Sequence, residues 1–148
     1  MDDPSRADEP SGQLPAGAEI MRQFLPTSPY VGYLGMRLDH IGPDTATMSL
    51  PFDQRVVTIG ATVHGGAIAS LIDTVAMVAA WSNTDRTETL RGSTVGLTVT
   101  YLAPAVSEDV RAVATVLRRG RSLVYLDVDV RAESGTLVAK GLVTYKIG

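Results

Sequence analysis

The chain has 148 residues, enough for one domain with a full core. Thirteen Lys and Arg against sixteen Asp and Glu leave a formal charge of -3, so neither nucleic acid nor an anionic membrane is an expected partner. There is no cysteine, and the only histidines are His40 and His64. Disulfides, thiolate metal sites and thiol nucleophiles are thereby excluded, and no metal site is expected because the two histidines do not stand at helix-ligand spacing.

Residues 1–16, MDDPSRADEPSGQLPA, combine acids, Pro, Gly and Ser with almost nothing to bury, and are expected to form a disordered tail ahead of a single domain over 17–148. The N-terminus lacks the basic and then apolar pattern of a secretory signal, which makes a cytoplasmic location the expectation. Residues 17–24 read as a short helix closed off by Pro26 and Pro29. Residues 30–34 lead into 36–41, where apolar and polar side chains alternate as in a half-buried strand. Gly42, Pro43 and Asp44 supply a turn, and residues 45–50 alternate again, completing a first hairpin. Residues 51–63 read as a loop.

The next stretch, HGGAIASLIDTVAMVAAW over 64–81, is the most apolar in the chain and predicts a long helix. At 100° per residue, Ile68, Leu71, Ile72, Val75 and Val78 gather on a bulky face suited to a sheet. Ala69, Ser70, Asp73, Thr74, Ala76, Met77 and Ala80 gather on a face of small residues that lets a ligand or another backbone come close. The run 59–81 is long enough to invite a membrane-span reading, but His64, Gly65, Gly66 and a central Asp73 argue against it. An unpaired buried carboxylate costs several kcal/mol, so Asp73 calls for a partner or a purpose: a structural cap or ion pair, solvent, or catalysis.

Strand-like runs follow. In 94–103, Val95, Leu97, Val99 and Tyr101 fall on one face and Thr94, Gly96, Thr98 and Thr100 on the other, up to Pro104. Residues 110–117 alternate, 118–121 turn, 122–132 alternate, 133–135 turn, and 137–147 form a last strand. The expected fold class is α+β: two strands, one central helix, then four strands in a meander of three hairpins, making a six-stranded antiparallel sheet that curls around the helix. The small-residue face then needs a partner, and a second copy of the chain is the simplest one.

The order of these elements, the segment His64-Gly65-Gly66 and an acid nine residues after the histidine resemble the PaaI-type branch of the hotdog-fold acyl-CoA thioesterases. The run Leu71-Ile72-Asp73-Thr74-Val75-Ala76, the segment TYLAPA over 100–105 and GTLVAKG over 135–141 also resemble that family, so the likeness covers nearly all of the chain outside the tail. It implies a hotdog fold, hydrolysis of an acyl-CoA thioester without a metal or cofactor beyond the coenzyme A of the substrate, and a homodimer, itself paired into a dimer of dimers. By the same resemblance Asp73 matches the catalytic carboxylate, acting as general base or as nucleophile. Gly65 matches the backbone N–H that receives the thioester carbonyl oxygen, His64 the histidine that shapes the turn, and Thr94 a hydroxyl that positions water. The family usually carries an Asn six residues before the histidine. Here that position is Thr58, or Val57 if the loop shifts by one residue; either way the amide is lost.

The first turn of a helix offers unpaired N–H groups to a developing oxyanion, and Gly65 and Gly66 let backbone approach a ligand closely. A tight loop-to-helix turn without any ligand would use the same glycines, and His64 has a purely structural alternative as a buried imidazole satisfied by backbone. Arg118, Arg119 and Arg121 crowd one turn and suit the phosphates of coenzyme A, or simply a solvated hairpin end. Tyr101, Trp81 and Met77 suit an acyl pocket, or core filling. A non-catalytic acyl-CoA-binding module is the alternative function, and Thr58 is its main support.

Overall fold

The computed structural model describes residues 12–85 and 91–148; residues 1–11 of the expected tail lie outside that range. The described part of the tail, 12–16, is joined to the domain. Leu14 packs against the core, and Ala16 opens helix α1 (Ala16–Phe24). Helix α1 runs into a 3-10 turn, Leu25–Thr27, and then into a second helix, α2 (Pro29–Leu34), where the sequence pattern suggested only a lead into a strand. Pro29 sits at the start of α2, where its fixed φ suits a helix and its missing N–H costs nothing. Gly35 ends the helix at φ 74°, the left-handed conformation that glycine adopts without strain.

Strands β1 (Arg37–Gly42) and β2 (Thr45–Leu50) form the expected hairpin. The expected loop that follows contains a small two-stranded ribbon, β3 (Val57–Ile59) and β4 (Thr62–Val63), turning at Gly60 with φ 57°. Helix α3 (Gly65–Trp81) comes next, and then β5 (Gly92–Tyr101), β6 (Val110–Arg119), β7 (Leu123–Ala132) and β8 (Leu137–Ile147). All six long strands join one antiparallel sheet in the order β1-β2-β6-β7-β8-β5.

That order corrects the expected meander. Strand β5 pairs with β8 at the far edge, not with β6. The meander rests on the tendency of consecutive strands to be neighbours. Here the connection 102–109 instead crosses β8 and β7, about 14 Å of sheet at the usual strand spacing, and only the hairpins β6–β7 and β7–β8 remain.

Helix α3 lies on the concave face. Leu71, Ile72, Val75 and Val78 are fully buried against the strands, each contributing about 1.5–3 kcal/mol. Gly141 on β8 makes this approach possible, since a Cβ there would come within 2.6 Å of the Ile72 side chain. The small-residue face is not wholly uncovered as the sequence suggested. Ala76 and Ala80 are fully buried, the Tyr30 hydroxyl of α2 lies 2.8 Å from Ser70 Oγ, and α1 packs along the C-terminal half of α3. Gly17 is the tightest point of that contact. Its N–H donates to Thr84 O at 2.9 Å, and a Cβ on it would collide with Trp81 O. Gly17→Ala should therefore loosen α1, at a cost of about 1–3 kcal/mol, and lower the melting temperature by roughly 3–10 °C in a calorimetric scan. An unchanged melting temperature would show that α1 is not docked through this glycine.

Candidate functional site

Helix α3 begins at a cap made by His64. Its Nδ1 accepts the Gly66 N–H at 2.7 Å, so the N–H of the neutral ring sits on Nε2. The residue has extended backbone and an exposed side chain. His64 thus has a backbone role of the structural kind, although at the surface and not buried. The same bond uses up Gly66's N–H, and of the two glycines only Gly65, at the first helical position where no intrahelical acceptor exists, keeps an N–H for a ligand. Tyr101, at the end of β5, donates its hydroxyl to Gly65 O at 2.6 Å. Its ring covers the place a side chain would take, with a Gly65 Cβ falling 3.2 Å from it. Tyr101 therefore anchors Gly65 from its carbonyl side, through the peptide that follows the free N–H.

Asp73 is half-buried two turns further along α3. Its Oδ1 accepts from Thr94 Oγ1 at 2.6 Å; Oδ2 has no donor among the described residues. The alternation expected in β5 puts Thr94 on the face opposite Leu97, Val99 and Tyr101. The structure corrects this. A β-bulge between Thr94 and Gly96 inserts one residue, so Thr94 faces Tyr145 across the ladder while Leu97, Val99 and Tyr101 face Val143, Gly141 and Ala139. Opposed residues share a face, which places all four on the concave side and lets Thr94 reach the helix. Gly96 was the legible sign, since a glycine inside a strand often marks a bulge.

Thr58 lies exposed on β3, in the ribbon that feeds His64, and its side chain makes no hydrogen bond among the described residues. The arginine cluster is divided. Arg119 is not available to a phosphate: its guanidinium donates to Asp44 Oδ1 at 2.7 and 3.0 Å and to Ala80 O at 2.9 Å. It closes the C-terminal end of α3, where a cation meets the negative end of the helix dipole. Arg118, on β6, and Arg121, in the turn that follows, are exposed.

Sequence reasoning missed Tyr145. It is buried on β8, its oxygen accepts from Trp81 Nε1 at 3.1 Å, and burial, with the Asp73 carboxylate adding to it, pushes its pKa above the usual tyrosine range. A lone aromatic in an alternating strand carries no signal of this. Among the described residues no three His, Cys, Asp or Glu side chains converge as a metal site, and no helix is long and apolar enough to cross a membrane.

Comparison with known proteins adds an independent line. The profile of the thioesterase superfamily matches residues 60–139, which hold the helix, the glycine pair, Asp73 and Thr94. The medium/long-chain acyl-CoA thioesterase YigI of Escherichia coli (strain K12) is 29% identical over 144 residues, covering 87% of this chain and 92% of that protein. Acyl-coenzyme A thioesterase 13 of Homo sapiens is 35% identical over 89 residues, 59% of this chain and 61% of the human one. A solved thioesterase family protein from Silicibacter pomeroyi superposes with a TM-score of 0.81 at 26% identity, covering 89% of this chain and 99% of that one.

Proposed function

This chain belongs to the thioesterase superfamily and has its hotdog fold, and from that premise we propose that it is an acyl-CoA thioesterase in which Asp73 activates water beside the Gly65 N–H of a second copy of the chain. The observation that carries this reading is the Asp73 carboxylate, held by Thr94 at one oxygen and open at the other. Water attacks the thioester carbon while Asp73 Oδ2 takes its proton; the carbonyl oxygen, now negative, is met by the Gly65 N–H. Collapse of this intermediate breaks the carbon–sulfur bond, and the leaving thiolate recovers the proton from Asp73. Direct attack by Oδ2 gives an anhydride instead. Oxygen from labelled water entering Asp73 during a single turnover would identify that route.

Distance supports a site shared by two copies. Gly65 and Asp73 stand on one helix about 12 Å apart along its axis, too far to serve one carbonyl. Strand β5 supports the pairing: it is an edge strand of ten residues, and Leu97 and Tyr101 are exposed although they lie on its concave side, as expected of an edge that another copy covers. On the convex face Val113, Tyr125 and Leu142 are exposed, a surface suited to joining two dimers back to back. Arg118, exposed at the end of β6, is the side chain we assign to the coenzyme A phosphates.

The test is free thiol release from a panel of acyl-CoAs. Metal-free turnover of at least one member is the expected result. Tight coenzyme A binding with no release from any of them would overturn the enzyme reading in favour of the binding module that Thr58 invites.

A further inference from the structure

One helical turn beyond Asp73, starting at Met77, lies an apolar recess of about 210 Å³. One wall is α3. Asp73, Met77 and Trp81 follow one another at four-residue spacing, so a single stripe leads from the carboxylate into the recess. The opposite wall is α1, through Ile20, Met21 and Phe24. The strands close the third side. Tyr145 faces Thr94 across the β5–β8 ladder, and Gly92, on the same face as Thr94, leaves room for the phenol: a Cβ there would come 2.5 Å from the Tyr145 hydroxyl. The bond from Trp81 Nε1 to that hydroxyl seals the inner end. Phe24 stands at the mouth, 45% exposed, while Met21 is buried at 4%.

Resting on the reading of Asp73 as the catalytic carboxylate, we propose that this recess takes the acyl group, that α1 sets its length limit, and that the substrate class is acyl-CoA of medium length. The acyl carbonyl sits at Asp73 and the tail runs past Met77 towards Trp81. The volume equals about seven water-sized groups, which suits a chain of about six to eight carbons, and the stripe from Asp73 to Trp81, about 12 Å, is long enough to carry it. Shorter acyl groups leave apolar surface uncovered, and longer ones, stopped by the Trp81–Tyr145 pair, must turn out of the recess past Phe24, so the limit lies in α1 side chains that touch no reacting atom.

The experiment compares kcat/KM across straight-chain acyl-CoAs from acetyl to palmitoyl for the wild type, Ile20→Trp and Phe24→Ala. Wild type should peak at hexanoyl to octanoyl. Ile20→Trp, which fills the recess from a half-buried position, should lower the octanoyl-to-propionyl ratio about tenfold or more. Phe24→Ala, which opens the mouth, should raise the dodecanoyl-to-octanoyl ratio at least about threefold. A wild-type profile that climbs steadily to palmitoyl, or an Ile20→Trp protein that loses both substrates in equal proportion, would overturn the proposal. Calorimetric titration with the uncleavable S-octyl-CoA and S-ethyl-CoA thioethers separates it from the enzyme reading. If no thioester is cleaved but S-octyl-CoA binds at least about tenfold tighter and Ile20→Trp removes that advantage, the recess stands and only the catalysis fails. Equal affinities for the two thioethers sink the recess whatever the thiol assay shows.

Discussion

Asp73→Asn should lower kcat for thioester hydrolysis by about 10²–10⁴-fold, the range a positioned general base supplies. The substitution keeps size and shape, and its amide oxygen still accepts the Thr94 hydroxyl that now reaches Asp73 Oδ1 at 2.6 Å. What is lost is the oxygen that takes the proton from water. The melting temperature should therefore stay close to that of the wild type while thiol release collapses. Substrate binding should be little affected, because no contact to the acyl tail or to coenzyme A is removed; the loss then appears in kcat and not in KM. A variant retaining more than a tenth of wild-type kcat would remove Asp73 from the chemistry.

Replacing Gly65 with proline offers the second large effect. Proline suits the first helical position, and His64 before it already has the extended backbone that proline demands, φ -65° and ψ 133°. The helix is kept and one N–H is deleted. The added carbon meets the Tyr101 ring, so Gly65→Ala, which adds the same carbon but keeps the N–H, is the proper reference. Relative to Gly65→Ala, Gly65→Pro should lose about 10²–10³-fold in kcat, as when one oxyanion donor is removed. Equal rates in the two proteins would mean that this N–H meets no oxyanion. Mixed dimers of one Asp73→Asn chain and one Gly65→Pro chain then test the seam: with sites shared between copies, one of the two sites in each mixed dimer is whole and about half the activity returns. With sites inside single chains both are broken, and none returns.

Several elements of this molecule were readable from local pattern. The strands over 45–50 and 137–147 and the helix following His64 come from periodicity alone, because a side chain's burial is set by which way its own backbone faces. Asp73 stood out as an acid in an apolar helix, and His64-Gly65-Gly66 as a helix start. The resemblance implies the roles that pattern leaves open, Gly65 as donor and Thr94 as a hydroxyl near the water.

Other features depended on contacts far apart in sequence. Nothing local states that β5 skips two strands to pair with β8, or that Arg119 is taken by Asp44 and the end of α3. The bulge beside Gly96 is the sharpest case: one inserted residue reverses the facing of Thr94, and with it the partner of Asp73. Local pattern was enough for the long helix and the six long strands, since propensity and periodicity act within a few residues, but not for α2 or the β3–β4 ribbon. Tertiary structure alone decided strand order, the side to which Thr94 turns, the loss of Gly66's N–H to His64 and the recess under α1. Those follow from register and packing, where the energy of each position is set by neighbours the chain brings together only on folding.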